Sequence, residues 1–326
     1  MSEFEKIITH NDFDGVVSAA ICSHALGVDF IVFTGPRSIS EARTPVTKDD
    51  VVCDLPYPLE CGMWFDHHEG NLEELQYRNI DPQTIPGRFD IKPSCARVVY
   101  EYFSEQQQLP DHFVEMVDEA DIIDSFDYKD VEDWRAETPG KIIDSTIKLQ
   151  AEKASEKWQY LRNLILHLKN HSLTEVAQMP GVRKRYHAFQ EEEKEMLRQI
   201  EGSITFLPED KNKELIIIDL TRHNRQPNIL KHLAYLLYPQ AQAVIEIKSM
   251  FKNRTKTNNL ALSMSLSVNL NSKQHNKDVG AIMRELNIGS GHAGAGAGTI
   301  FCQSKAEMLQ EKNKVLTEIF KMFQKQ

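Results

Sequence analysis

The chain has 326 residues, enough for two domains with separate cores, and 41% of them are apolar, an ordinary share for a soluble protein. No segment approaches 18 uninterrupted apolar residues, which excludes a membrane-spanning helix, and the start MSEFEKIITH lacks the cationic stretch and apolar core of a secretory signal. The net charge of -10 is unevenly spread: Glu201–Gln326 holds 17 Lys and Arg against 11 Asp and Glu, so residues 1–200 carry -16. An acidic first part is a poor surface for duplex DNA and a natural host for divalent cations, whereas a basic second part suits the phosphates of a small or single-stranded substrate. Five cysteines, odd in number and without a C-x-x-C pair, fit unbridged thiols in a reducing cytoplasm.

In chain order, KIIT, DFIVFTG, DDVVCDL and GMWFD are short β-rich runs. Between and after them, GVVSAAICSHAL, SCARVVYEYFSEQ and DHFVEMVDEADIID carry helical periodicity. Strands separated by helices predict an α/β domain with a largely parallel sheet. Residues 145–202 read as helical and highly charged, with a solvated glutamate face in YHAFQEEEKEMLRQIEG. A second α/β domain with a smaller mixed sheet follows: strand KELIIIDLT, helix PNILKHLAYLL, strands QAVIEIKS and LALSMSLSV, and helix KDVGAIMREL. The Gly/Ala-rich NIGSGHAGAGAG then precedes a last amphipathic helix. The expected organisation is a catalytic domain over 1–185, a helical connector over 186–203 and a substrate-binding domain over 204–326, with the active-site cleft between the two domains.

The chemistry concentrates at element ends. HNDFDG has the oxygen-rich look of a calcium loop, but its twelfth position is Ile21 where a bidentate Glu is required. What remains is a His-x-Asp-x-Asp-Gly turn at the carboxyl end of a strand, where open α/β sheets place their ligands. Imidazole with carboxylate suits manganese or another transition ion. Asp54 ends a second apolar run, Asp66, His67 and His68 end a third, and Asp121 and Asp124 end a helical pattern. Singly each such residue is more often structural. Together, four clusters supply the ligands of a two-metal centre. In the second part, KSMFKNRTK brings Lys248, Lys252, Arg254 and Lys256 around Phe251, which reads either as a phosphate track with a stacking platform or as a solvated hairpin tip.

His10-Asn11-Asp12-Phe13-Asp14-Gly15, Asp54, Asp66-His67-His68 and Asp121 resemble, in order, the four motifs of the DHH phosphoesterases. NIGSGHAGAGAG resembles the glycine-rich signature of the DHH-associated C-terminal domain, with Ser290 where that signature has Gly. The first motif is spaced as in RecJ-like members. The resemblance implies two Mn²⁺ ions, with Mg²⁺ or Co²⁺ as substitutes. One would be held by His10, Asp12 and Asp54, the other by Asp14, Asp54, His67 and Asp121, with Asp54 bridging. His68 would stand beside the scissile phosphate and Asp66 would orient its neighbours. Of the two helix carboxylates, Asp121 is favoured over Asp124 because it follows a small residue. Gly289, Ser290, Gly291, His292, Ala293 and Gly294, with Arg222, would cradle the substrate phosphate. The implied activity is hydrolysis of phosphate esters in short oligonucleotides or nucleotide phosphates, linear or cyclic, by a cytoplasmic monomer or homodimer. The alternatives are an exopolyphosphatase and, in a different class, a non-hydrolytic nucleotide sensor.

Overall fold

A computed structural model describes residues 3–271 and 275–326 of the chain. Two compact units form, Met1–Asp127 with Ala136–Gln190, and Tyr128–Arg135 with Glu191–Gln326. Among the described residues no helix is long and apolar enough to cross a membrane, and all five cysteines are buried free thiols.

The first unit is built on five parallel strands, β1 (Lys6–Thr9), β2 (Ile31–Phe33), β3 (Asp50–Cys53), β4 (Met63–Asp66) and β5 (Gly87–Phe89), in the order β2-β1-β3-β4-β5. Both faces of this sheet are covered, which is why its strands read as near-continuous apolar runs. Ile7, Val51, Cys53 and Phe65 face one apolar cluster, while their neighbours Ile8, Val52 and Trp64 face another. The alternation is the period of two that a pleated strand imposes. The helix Phe13–Leu26 is buried along one unbroken run, Phe13 to Ser23. Such an all-round apolar helix is stable only inside a layer, here with the helices Cys95–Ser104, His112–Ser125 and Ala154–Leu168 against it. From β1 the chain moves out to β2, then returns to β3 on the opposite side of β1. This reversal opens a crevice at the carboxyl ends of β1 and β3, the place where α/β sheets bind ligands.

The second unit carries a mixed sheet in the order β10-β11-β9-β8-β7-β6. Its strands are β6 (Ile204–Thr205), β7 (Leu215–Asp219), β8 (Ala243–Lys252), β9 (Thr255–Leu266), β10 (Gly289–Gly291) and β11 (Ala295–Ile300). One face packs Ile245, Leu262, Met283 and Ile319; the other packs Ile216, Ile218, Tyr235 and Ile200. The helix expected over PNILKHLAYLL is short, a 3₁₀ turn at Lys231–Leu233 continued by Ala234–Leu237, and Pro239 keeps the preceding residue out of the helical region.

KSMFKNRTK is the tip of the β8–β9 hairpin. Asn253 and Arg254 both take positive φ, 49° and 65°, as a two-residue turn matched to strand twist requires. Two of its cations are engaged: Lys248 pairs with Glu246 at 2.5 Å, and Lys256 donates to the Thr221 carbonyl at 2.7 Å.

Within the glycine-rich segment, Gly289–Gly291 form an exposed strand. Gly289, Ser290 and Gly291 pair antiparallel with Gly298, Ala297 and Gly296. The reason for glycine is close backbone packing: a Cβ on Gly280, in the adjoining helix Val279–Glu285, would lie 2.1 Å from the Gly291 carbonyl oxygen. Gly280→Ala is therefore expected to destabilise the second unit by about 1–3 kcal/mol through overpacking, read as a lower denaturant midpoint with unchanged secondary-structure content.

Candidate metal centre

Three strand ends and three helices of the first unit build the site. After β1 the chain turns at His10 and enters the helix Phe13–Leu26 with Asp12 as its N-cap, whose Oδ1 accepts the Gly15 amide at 3.0 Å. Gly15 is required here because a Cβ would stand 2.5 Å from the His10 carbonyl oxygen. The capping turn thus aims His10, Asp12 and Asp14 towards the crevice together. His10 Nδ1 meets Asp12 Oδ2 at 2.5 Å and Asp54 Oδ2 at 3.6 Å.

Asp14 reaches across to a different helix. Its carboxylate accepts the backbone N–H groups of Cys95 and Ala96, each at 2.7 Å. These are unsatisfied donors at the N-terminus of Cys95–Ser104, where an anion is favoured by the helix dipole. Asp54 follows β3 in the left-handed region, φ 56°, a conformation that Asp tolerates better than most residues. At 2% exposure it is almost wholly enclosed.

His67 and His68, after β4, take opposite parts. The His67 Nδ1–H donates to the Lys92 carbonyl at 3.0 Å, because a carbonyl can only accept. Its Nε2 therefore faces inward, 3.6 Å from Asp14, 3.8 Å from Asp54 and 3.4 Å from Asp124. His68 is exposed and donates Nδ1–H to Asp66 Oδ1 at 2.8 Å, while Asn71 holds Asp66 Oδ2 at 2.6 Å.

Sequence favoured Asp121 as the helix carboxylate, but the geometry brings Asp124 to the site. Asp121 is engaged by Arg97, at 2.8 Å from Nε and 2.6 Å from Nη2, and by the Ser94 hydroxyl at 2.6 Å. Asp124 lies three residues on, about 4.5 Å further along the helix, which carries it to His67. Asp124→Asn is accordingly expected to weaken metal uptake by at least about 100-fold, the upper range for outer-sphere partners. Asp121→Asn should leave uptake intact and cost on the order of 1–3 kcal/mol of stability. Metal titration and denaturant unfolding of both variants separate the two roles.

Three groups of donor atoms converge within 4.8 Å of one another: His10, Asp12 and Asp54; Asp54, His67 and His68; and Asp14, His67 and Asp124. Two buried atoms among them, Asp54 Oδ2 and His67 Nε2, have no hydrogen-bond partner among the described residues. An inward imidazole lone pair facing carboxylate oxygens is acceptor against acceptor, an arrangement that a cation resolves and a water only partly. Electrostatics agree. Burial, then the charge of Asp12, pushes Asp14 up to about 7; burial, then Asp14, does the same to Asp124. Asp54 is driven well above the carboxylate range by burial and by the acids around it. Burial works against the charge on Asp12 and His10, yet their mutual hydrogen bond holds Asp12 down to about 2 and raises His10. Burial likewise opposes charge on His68, which the Asp66 bond carries up to about 9.

The second-unit candidates belong to a different setting. His292 is exposed, its ring Nδ1 accepting the Gly294 amide at 3.2 Å while its own amide donates to Ala295 at 2.9 Å. Arg222 is exposed on the turn after β7. Sequence reasoning missed the Lys92 carbonyl, the Cys95 and Ala96 amides and Asn71, since backbone groups leave no motif and Asn71 lies beyond the His-His pair.

Comparison with protein-family models and with curated proteins gave no match. Solved structures did match. A pGpG-specific phosphodiesterase, PggH from Vibrio cholerae, aligns with a TM-score of 0.68 and 23% identity over 96% of this chain and 98% of that one. The DHH domain of a member of the s1p family of ribosomal proteins gives 0.53 and 12% over 98% and 86%. RecJ from Thermus thermophilus, in complex with Mn²⁺, gives 0.50 and 12% over 97% and 52%. The chain has the DHH fold.

Proposed function

We propose that this chain is a metal-dependent phosphodiesterase acting on short nucleotides, with linear dinucleotides of the pGpG type as its first substrate class. The observation that carries the reading is the pair of enclosed, unpartnered atoms, Asp54 Oδ2 and His67 Nε2, inside three His/carboxylate groups. The similarity to a pGpG-specific phosphodiesterase over nearly the whole of both chains supports the substrate class.

Two divalent ions, Mn²⁺ by preference and Mg²⁺ or Co²⁺ as substitutes, fit the donor set. His10, Asp12 and Asp54 would hold one; Asp14, Asp54, His67 and Asp124 would hold the other. When bound, such ions supply positive charge for phosphoryl oxygens and acidify water. The remaining work falls to side chains of this chain. Asp14 is fixed by two amides, so its ligand atoms are aimed without rearrangement. Lys92 fixes the tautomer of His67. His68, anchored through Nδ1, presents Nε2 outward as a hydrogen-bond donor for a phosphate oxygen. For the second unit we propose that exposed His292 and Arg222 contact substrate phosphate.

The test is Mn²⁺-dependent hydrolysis by purified protein of pGpG, pApA, a cyclic dinucleotide, phosphoadenosine phosphate and polyphosphate. Turnover confined to linear dinucleotides supports the reading. Preferential release of phosphate from polyphosphate would replace it with the exopolyphosphatase reading, and metal-dependent nucleotide binding without turnover would replace it with a sensor.

A further inference from the structure

We infer that Asn71 is a positioning residue of the reaction, acting on His68 through Asp66; the inference rests on the proposed phosphodiesterase reading. Asp66 is fully enclosed at the end of β4. Its two oxygens are divided between two donors. Oδ1 accepts His68 Nδ1–H at 2.8 Å, and Oδ2 accepts Asn71 Nδ2–H at 2.6 Å.

Geometry makes this a clamp. A carboxylate at the end of one side chain is free to rotate about its last bond, and rotation would carry Oδ1 away from His68. The Asn71 amide pins the second oxygen and so fixes the plane of the first. Asn71 is itself fixed, because its backbone amide donates to the His68 carbonyl at 2.9 Å in the turn that opens the helix Glu69–Tyr77. His68, Asp66 and Asn71 therefore close a ring of three hydrogen bonds within six residues. His68 is the one member of the His-His pair that turns outward, its side chain 51% exposed. An exposed imidazole has many rotamers, and the ring leaves it the one that aims Nε2 away from Asp66.

Two substitutions separate positioning from space-filling. Asn71→Ala removes the amide, and Asn71→Asp keeps the shape but replaces the donor with an acceptor. Both retain the backbone bond to His68. In the Mg²⁺-loaded full chain, the wild type is expected to show a slowly exchanging, downfield Nδ1–H proton for His68 by NMR, and both variants to lose it. On pGpG with Mn²⁺, kcat should fall about 10- to 100-fold in both, the range for groups that orient an active side chain. KM should stay within about twofold, since a misaimed His68 donor is felt chiefly as charge builds on the phosphoryl oxygen, while the other substrate contacts are untouched. Metal uptake should be unchanged.

An unchanged His68 signal and unchanged kcat in both variants overturn the inference. So does loss confined to Asn71→Ala, which marks a filler of space. If the wild type turns over no substrate, the phosphodiesterase reading fails, while the NMR arm still decides whether Asn71 orients His68.

Discussion

Asp54→Asn is expected to abolish Mn²⁺-dependent turnover and, at the same time, to raise the melting temperature of the metal-free protein. Asp54 belongs to two of the three donor groups and sits 3.6 Å from His10, 3.8 Å from His67 and 3.8 Å from His68. An amide at that position keeps one neutral oxygen and loses the charge that would bridge two cations. Loss of metal-borne charge stabilisation is worth several kcal/mol, so turnover should fall by about 10³-fold or more. Stability moves the other way, because an enclosed carboxylate with an unpartnered oxygen costs about 1–3 kcal/mol when no cation is present. Each kcal/mol recovered is roughly 2–4 °C for a unit the size of the first. Asn also tolerates the left-handed backbone at φ 56°. Calorimetry with chelator and with Mn²⁺ checks both halves: the wild type should gain stability from Mn²⁺ and the variant should not. Full activity in the variant would remove Asp54 from the centre.

The pH dependence of the metal-free protein should be inverted relative to that of a protein held by ion pairs. Asp14 and Asp124 are raised to about 7 and Asp54 higher still, in each case by burial first and by neighbouring acids second. A carboxyl group whose pKa is raised on folding stabilises the fold while it is protonated, fully so below the unfolded value near 4. That contribution is lost as pH climbs through the folded value. With chelator present, the melting temperature should therefore fall between pH 5 and pH 8. Its size is bounded by roughly 1.4 kcal/mol for every tenfold difference in a group's acidity between the folded and unfolded chain. With saturating Mn²⁺ the slope should flatten or reverse, because binding takes the ionised form. The same linkage makes metal uptake release protons. Calorimetric titration near pH 6.5 in two buffers of different ionisation heat should count at least one proton released per chain. A flat apo profile together with no proton release would show that these carboxyls are ionised without a cation.

Much of this was legible in the residues, and the failures have causes. Lys6–Thr9, Asp50–Cys53 and Met63–Asp66 announce themselves as apolar runs because their sheet is buried on both faces, and each is followed by His or Asp. Gly87–Phe89 escaped notice: three half-buried residues of an edge strand make no run. The helix His112–Ser125 was visible, but periodicity does not say which of two acids one turn apart reaches a site formed by other segments. Asp121 went to Arg97 and Ser94, partners 24 and 27 residues away. The glycine run answers a second demand that composition does not show: Gly289 and Gly291 sit in a hairpin pressed against Gly280 and β11.

The seating of Asp14 on the Cys95 and Ala96 amides bears on where the fold is expected to open first. Those amides stand 81 and 82 residues from the carboxylate they bind, so one acid joins the first crossover of the sheet to a helix beyond its last strand. Protonating Asp14 removes the charge that those dipoles favour, and ionising it without a cation sets it against Asp12 and Asp54. The rim of the sheet at the strand carboxyl ends is thus the edge expected to open first in chelator, ahead of the opposite rim. Amide exchange at Cys95 and Ala96 should then report metal occupancy from outside the coordination sphere, slow when the centre is filled and fast when it is stripped.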